Sequence, residues 1–341
     1  MTELLDELVR ARRPWISGRL GEWYPDPALL AQLRDALAVE ASRLDDVAFG
    51  AQFRDALGVR PESEALSWAN RRLDLPDGGW AVAGIRFRGR DGRRPFVDVV
   101  ATTAPPTPDG LASVAETVAA AYADFEPLCL RVDAPDPDRI VAALRADSRF
   151  GPGCAVDMYV VAGLVRSLRQ HPRAAAYDDV TLRRSESGDD TAALSVRVAE
   201  IYRALTELQP ELAMWATAEG AESLGECAED GLLFEILAEG RPAGVVAGLR
   251  HDDHAMRGFS VQEICLDPAH RGRRLAPGVI QRVVDELPAG DGDVLWGTIH
   301  PANRPSLRNA LSVGREVVGG YVWVTPAGMP GMPTTTRATP R

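Results

Sequence analysis

Four consecutive residues, Arg271-Gly272-Arg273-Arg274, crowd three guanidinium groups around one glycine in the turn that follows Val261–Leu266. The residues before them, VQEICL, read as a buried strand. After the turn an apolar-periodic helix is expected from Pro277 to Leu287. A strand that passes through an Arg/Gly turn into a helix makes an anion site. The first backbone N–H groups of the helix lack intrahelical partners, and the helix dipole adds partial positive charge there. The arginines supply formal charge for a phosphate or pyrophosphate. The competing reading is a solvated charged loop, which an Arg-rich chain forms by chance.

Other residues could carry proton chemistry nearby. Glu263 lies mid-strand between apolar neighbours, where a carboxylate is costly unless it is paired or functional. Strand alternation sets Glu263 and Cys265 on one face and Gln262, Ile264 and Leu266 on the other. Cys265, flanked by Ile264 and Leu266, reads as packing rather than as a nucleophile. His300 closes the next apolar run, Val294 to Ile299, just before Pro301; a role in the cleft competes with an incidental place in a turn. Asn303 and Ser306 have the spacing of a helix N-cap and its first turn.

The elements that would position these residues follow from period and punctuation. From Asp179 the pattern reads strand, two helices, three strands, helix, strand, helix, strand, ending near Val324. Glu239-Gly240-Arg241-Pro242 marks a hairpin between two of the strands. At these residues the chain resembles the GCN5-related N-acetyltransferases, whose pyrophosphate loop is Q/R-x-x-G-x-G/A. Arg271 stands at the first position and Ala276 at the last, with Arg274 in place of the middle glycine. A second stretch, His300 to Arg315, matches the superfamily at Asn303, Ser306 and Gly314. It departs at Ala310, where a tyrosine is usual, and at Arg315, where a phenylalanine is usual.

The resemblance implies a fold and a site. The fold is an α/β (α+β) mixed sheet flanked by helices. Acetyl-CoA or another acyl-CoA would be the co-substrate, with no metal. Its pyrophosphate would lie on Arg271, Gly272, Arg273, Arg274, Leu275 and Ala276, and Asn303 and Ser306 would contact the cofactor arm. Backbone N–H groups around Cys265 and Leu266, where the family's strand bulges, would polarise the acyl carbonyl. Glu263 would be base or water relay, with His300 as a second candidate. The resemblance puts a tyrosine that protonates the leaving thiolate where Ala310 stands, and leaves that role empty.

The first half reads differently. Residues 1–76 look helical, with Leu4, Leu5, Leu8 and Val9 and then Leu29, Leu30, Leu33 and Leu37 at helical spacing. The aromatics Trp15, Trp23, Tyr24 and Trp68 read as core. Residues 77–170 give strand, strand, helix, strand, helix, strand, the order of the second half of an acetyltransferase fold. The connection into the first helix is Thr102-Thr103-Ala104-Pro105-Pro106-Thr107-Pro108, whose prolines have no N–H to offer a phosphate. A degenerate, non-binding tandem domain is therefore expected, with an unrelated α+β domain as the alternative. The polar stretch Arg166–Arg173 marks the boundary, residues 179–325 form the catalytic domain, and the tail 326–341 is expected to be disordered.

Composition bounds the rest. With 341 residues and a formal charge of −11, the chain has room for about two domains. Its acidity disfavours nucleic-acid binding, which needs a basic face. No apolar run of about 18 residues is present, so no membrane span is expected. Four dispersed cysteines, Cys129, Cys154, Cys227 and Cys265, suit a reduced, cytoplasmic setting. The activity expected is acyl transfer to a small primary amine in a ternary complex, and a homodimer is allowed. Two alternatives stand beside it: a non-catalytic CoA or metabolite sensor or scaffold, and an acyltransferase that uses aminoacyl-tRNA.

Overall fold

The computed structural model describes residues 2–58, 63–186, 188–210, 212 and 216–333. The chain forms two compact units, Met1–Tyr159 with Val318–Pro333, and Val160–Val317. The stretch Arg166–Arg173, where the boundary is expected, is helical as far as Gln170. Helix α7 (Val165–Gln170) buries Val165 and Leu168 at helical spacing and turns its polar residues to solvent. The chain leaves the first unit within a strand, β5 (Ala155–Leu164), and returns to it within another, β11 (Glu316–Val324).

The first unit opens with four helices, α1 (Thr2–Arg12), α2 (Gly18–Trp23), α3 (Asp26–Ser42) and α4 (Val47–Leu57). The helical reading of residues 1–76 fails at its end. Arg71–Asp74 is a strand, β1, paired antiparallel with β2 (Trp80–Phe87). Four residues with one buried side chain, Leu73, are too short to show a period of two. β2 pairs antiparallel with β3 (Pro95–Thr102), and β3 pairs parallel with β4 (Leu130–Ala134). Helix α5 (Pro108–Ala121) connects β3 to β4, and α6 (Pro137–Arg145) leads towards β5.

β4 then takes as its next neighbour β11, antiparallel over Gly320–Val324. The last strand expected for a domain over 179–325 is thus built into the other unit. The aromatics read as core are core where they are buried: Trp68 is fully enclosed and meets Phe125 edge-on at 5.0 Å, and Trp15 and Tyr24 are buried too. The tail expected to be disordered is ordered over 326–333. Pro326 bridges to Phe150, the Gly331 N–H donates to the Leu128 carbonyl, and Met332 packs with Phe96, Cys129 and Trp323. Residues 334–341 lie outside the described residues.

In the second unit β6 (Val180–Arg184), β7 (Leu233–Ala238) and β8 (Arg241–Arg250) run antiparallel, as does β9 (Gly258–Leu266) against β8. The hairpin after β7 turns on Glu239 and Gly240 alone, both at positive φ, so Arg241 and Pro242 already belong to β8. Helices α8 (Gly188–Leu208) and α9 (Ala221–Glu229) cover one face. Leu194, Val198, Leu224 and Cys227 pack there on Leu233, Val245 and Cys265. Helix α10 (Leu275–Glu286) covers the other, with Val279, Ile280 and Val283 on Phe234, Ile236 and Phe259. Each large apolar side chain so enclosed contributes on the order of 2 kcal/mol. The expected alternation along β9 holds: Cys265 faces α8 and α9, whereas Ile264 and Leu266 pack on the α10 side.

Candidate active site

β9 and the strand after α10, β10 (Val294–Ile299), are parallel but pair only from Val294↔Gly258 to Trp296↔Ser260. Beyond that point they part, and a wedge opens towards their C-terminal ends. At the same level β9 carries a bulge. Ala247 of β8 faces Glu263 while its successor Gly248 faces Val261, which leaves Gln262 as the extra residue. The bulge expected near Cys265 and Leu266 therefore lies earlier, at Gln262, beside the point of divergence.

A cavity of about 700 Å³ occupies the mouth of this wedge. It gathers most of the residues that the sequence nominated: Cys265 and Leu266 of β9, Arg271, Gly272 and Arg274 of the turn, and Leu275 and Ala276 of α10. Asn303 and Ser306 close it from α11 (Arg304–Ser312). Asn303 is the N-cap of α11 and also faces the cavity. Its side-chain oxygen accepts from the Ser306 N–H at 3.3 Å, capping α11, and the same two residues line the cavity. Arg273 turns away to pair with Glu239. His300 is engaged in its own turn, where its Nδ1 accepts from the Ala302 N–H at 3.2 Å, and it is absent from the lining.

The turn is held from behind. Arg197 of α8 pairs with Asp267 at the turn's start and, at 3.2 Å, with Glu235 of β7. The chain then passes through Gly272 at φ 76° and Arg274 at φ 58°, and α10 begins at Leu275, two residues before the expected Pro277. Arg274 stands where the motif has glycine, and its backbone adopts the left-handed conformation that glycine takes at little cost. The loop shape survives the substitution. The N–H groups of Leu275 and Ala276, at the start of the helix, point where an anion is favoured, although Pro277 contributes none. Among the described residues no carboxylate pairs with Arg271 or Arg274.

Glu263 lies behind this cavity rather than in its wall. It is 3% exposed; its Oε1 accepts from the Tyr202 hydroxyl at 3.1 Å and its Oε2 from the Glu219 N–H at 3.4 Å. Burial pushes its carboxyl up to about 7, against the lowering effect of those two donors. Tyr202, on α8, does line the cavity, and its hydroxyl is the group bonded to the Glu263 carboxyl. Sequence reasoning missed it: a tyrosine within a helical period reads as packing, and its partner lies 61 positions away. Burial drives the Cys265 thiol well above its ordinary range, which keeps it protonated and unreactive.

No family model matches the sequence, and no curated protein matches it either. Solved structures do. A GCN5-related N-acetyltransferase from Sphaerobacter thermophilus superposes with a TM-score of 0.51 at 16% identity, over 87% of this chain and 96% of that one. The chain has the GCN5-related N-acetyltransferase fold. Looser likenesses, which carry no weight here, include the acetyltransferase of that description from Kribbella flavida and a tandem protein of the clavulanic acid pathway. The first has a TM-score of 0.39 at 15% identity over 83% of this chain and 95% of that one. The second has a TM-score of 0.40 at 16% identity over 73% and 79%. The acetyltransferase fold agrees with the strand and helix order read from residue 179 onward. Among the described residues no helix is long and apolar enough to cross a membrane.

Proposed function

We propose that the second unit is an acyl-CoA-dependent N-acyltransferase, acetyl-CoA being the expected donor, and that it acts on a small primary amine by direct attack in a ternary complex. One observation carries the reading. A single cavity is lined both by the arginine-bearing turn at the start of α10 and by the end of β9, Ile264 to Leu266, beyond its divergence from β10. The residues fit such a co-substrate. Arg271, Arg274 and the first N–H groups of α10 offer charge and donors for a diphosphate. Leu266, Pro277 and Pro305 give an apolar flank for an uncharged arm. The thioester, when bound, supplies the activated acyl carbon.

The chain's own residues do the rest. Backbone N–H groups at the Gln262 bulge, freed from the regular ladder, are suited to polarise an acyl oxygen. The Glu263 carboxylate takes the amine's proton through Tyr202: the hydroxyl oxygen accepts a proton from the amine as its own hydrogen passes to Glu263 Oε1. A carboxyl poised near 7 is matched to that task at neutral pH.

Calorimetry with coenzyme A tests the reading directly. Binding is expected, and Arg271→Ala weakens it about tenfold, the loss of one charge-assisted contact. No uptake of coenzyme A by the intact protein overturns the assignment. The sensor reading has one observation in its favour: Ala310 is fully buried, so α11 offers no acid to a leaving thiolate at that position. Stabilisation by acetyl-CoA without thiol release, across a panel of amines, would decide for the sensor.

A further inference from the structure

Arg315 follows the end of α11 in a tight chain reversal. Its N–H donates to the Ala310 carbonyl at 3.1 Å and that of Gly314, at φ 90°, to Leu311 at 3.1 Å. This is the pattern of a Schellman cap, and the position Arg315 occupies in it is ordinarily apolar, because it packs back on the helix. Here it is an arginine, 5% exposed. Its Nε is buried without a hydrogen-bond partner, and among the described residues no carboxylate pairs with the side chain. Burial lowers its pKa only to about 10, so the group stays cationic at neutral pH.

An enclosed cation without a counter-charge is among the most destabilising features that a core can hold, and replacing such a group with an apolar one usually stabilises a protein. The place where it lies suggests why it is kept. Its Nη1 approaches Gly297 of β10 and comes within 3.7 Å of where a β-carbon on that glycine would stand. The Val261 carbonyl of β9 lies 3.6 Å from the same point. Gly297 is the first residue of β10 beyond the paired stretch, which ends at Trp296↔Ser260. The guanidinium therefore lies against β10 at the root of the wedge, and Arg315 itself is outside the residues that line the cavity. Asn309, on the last turns of α11, is also buried; it lines the cavity, and its Oδ1 has no partner among the described residues.

We infer that Arg315 is an anion-binding residue at the closed end of the cleft, and that it receives a carboxylate carried by one of the two substrates. The inference deepens the acyltransferase reading and rests on it for the nature of the cleft. Its chemical content is that a purely aliphatic acyl group paired with a simple amine leaves the guanidinium unmatched. A dicarboxylic acyl chain matches it from one side, and an amino acid acceptor from the other.

The test compares wild type with Arg315→Met and Arg315→Gln, the second keeping polarity should the first misfold. Without ligand, the Met variant is expected to melt above wild type. Succinate raises the wild-type melting temperature and leaves both variants unmoved, whereas succinamide and chloride at equal ionic strength do nothing. Succinyl-CoA that binds at least tenfold tighter than acetyl-CoA, a preference lost in the variants, assigns the carboxylate to the acyl group. If instead a panel of amino acids binds the acetyl-CoA complex at least tenfold tighter than their amides, again through Arg315, the acceptor carries it. Variants that keep every wild-type preference, or carboxylates and chloride that stabilise alike or not at all, overturn the inference. Stabilisation by succinate through Arg315 with no coenzyme A binding would sink the acyltransferase reading and leave the anion site standing.

Discussion

Under the proposed reaction, Glu263 would tie protonation to both folding and turnover. Its carboxyl is raised in the folded chain to about 7, above the usual carboxylate range, by burial, which outweighs the lowering effect of the Tyr202 hydroxyl and the Glu219 N–H. A group raised in this way favours the folded state at low pH, and that advantage is lost as pH climbs from the unfolded value through 7. Glu263→Gln is therefore expected to melt above wild type at pH 8 and to converge with it near pH 4. The gap corresponds to on the order of 3 kcal/mol. Wild-type turnover should fall on the acid side of 7, and the Gln variant should lose most of its turnover while keeping its affinity for coenzyme A. Tyr202→Phe, which removes one hydroxyl, should lower turnover by about a hundredfold with KM for the donor unchanged. Stopped assays across pH check both. Glu263 was legible in the sequence because a lone acid among apolar strand residues is costly. Its partner was not, since the contact depends on how α8 lies over β9.

The turn before α10 shows how an element can be read from composition and still conceal its support. The arginines and Gly272 stand out in the sequence; Arg197, which braces Asp267 and Glu235 from α8, does not, because it is a single polar residue in a helical period. Arg197→Met should loosen the turn and weaken coenzyme A binding about tenfold without changing the far-ultraviolet circular dichroism. Calorimetry and spectra taken on the same sample decide it. Arg274→Gly should relieve about 1 kcal/mol of left-handed strain, measured as a higher melting temperature, while giving up one charge at the cleft. Most other elements, α8 to α11 and β7 to β10, were visible as runs of period 3.6 or 2 with turn residues between them. Those that were not had short or mixed signals: β1 has one buried side chain, and α7 shows only Val165 and Leu168 among polar neighbours.

At the scale of the molecule, the path of the chain between its two units was not legible. Periodicity along a strand shows which face is buried but not which neighbour it pairs with, so nothing in Glu316–Val324 announces β4 as its partner. Ending the chain after Val317 should therefore damage the first unit, although every residue removed lies at the other end of the sequence. Removal strips β4 of a neighbour and takes away Met332 and Trp323 from the packing around Phe96. Limited proteolysis is expected to cut the truncated protein within residues 1–159 and to leave wild type intact there.

The return of β11 to β4 also sets a timetable. Val132 meets Val322, roughly 190 residues later, so a ribosome adding about 5–20 residues each second must work for on the order of ten seconds or more between them. Throughout that interval β4 presents bare amide and carbonyl groups along one side, a template on which a stray strand could dock. Yield in the cell should therefore depend on the pace of translation across the second half of the message, and on whatever shields a nascent edge until the last strand arrives.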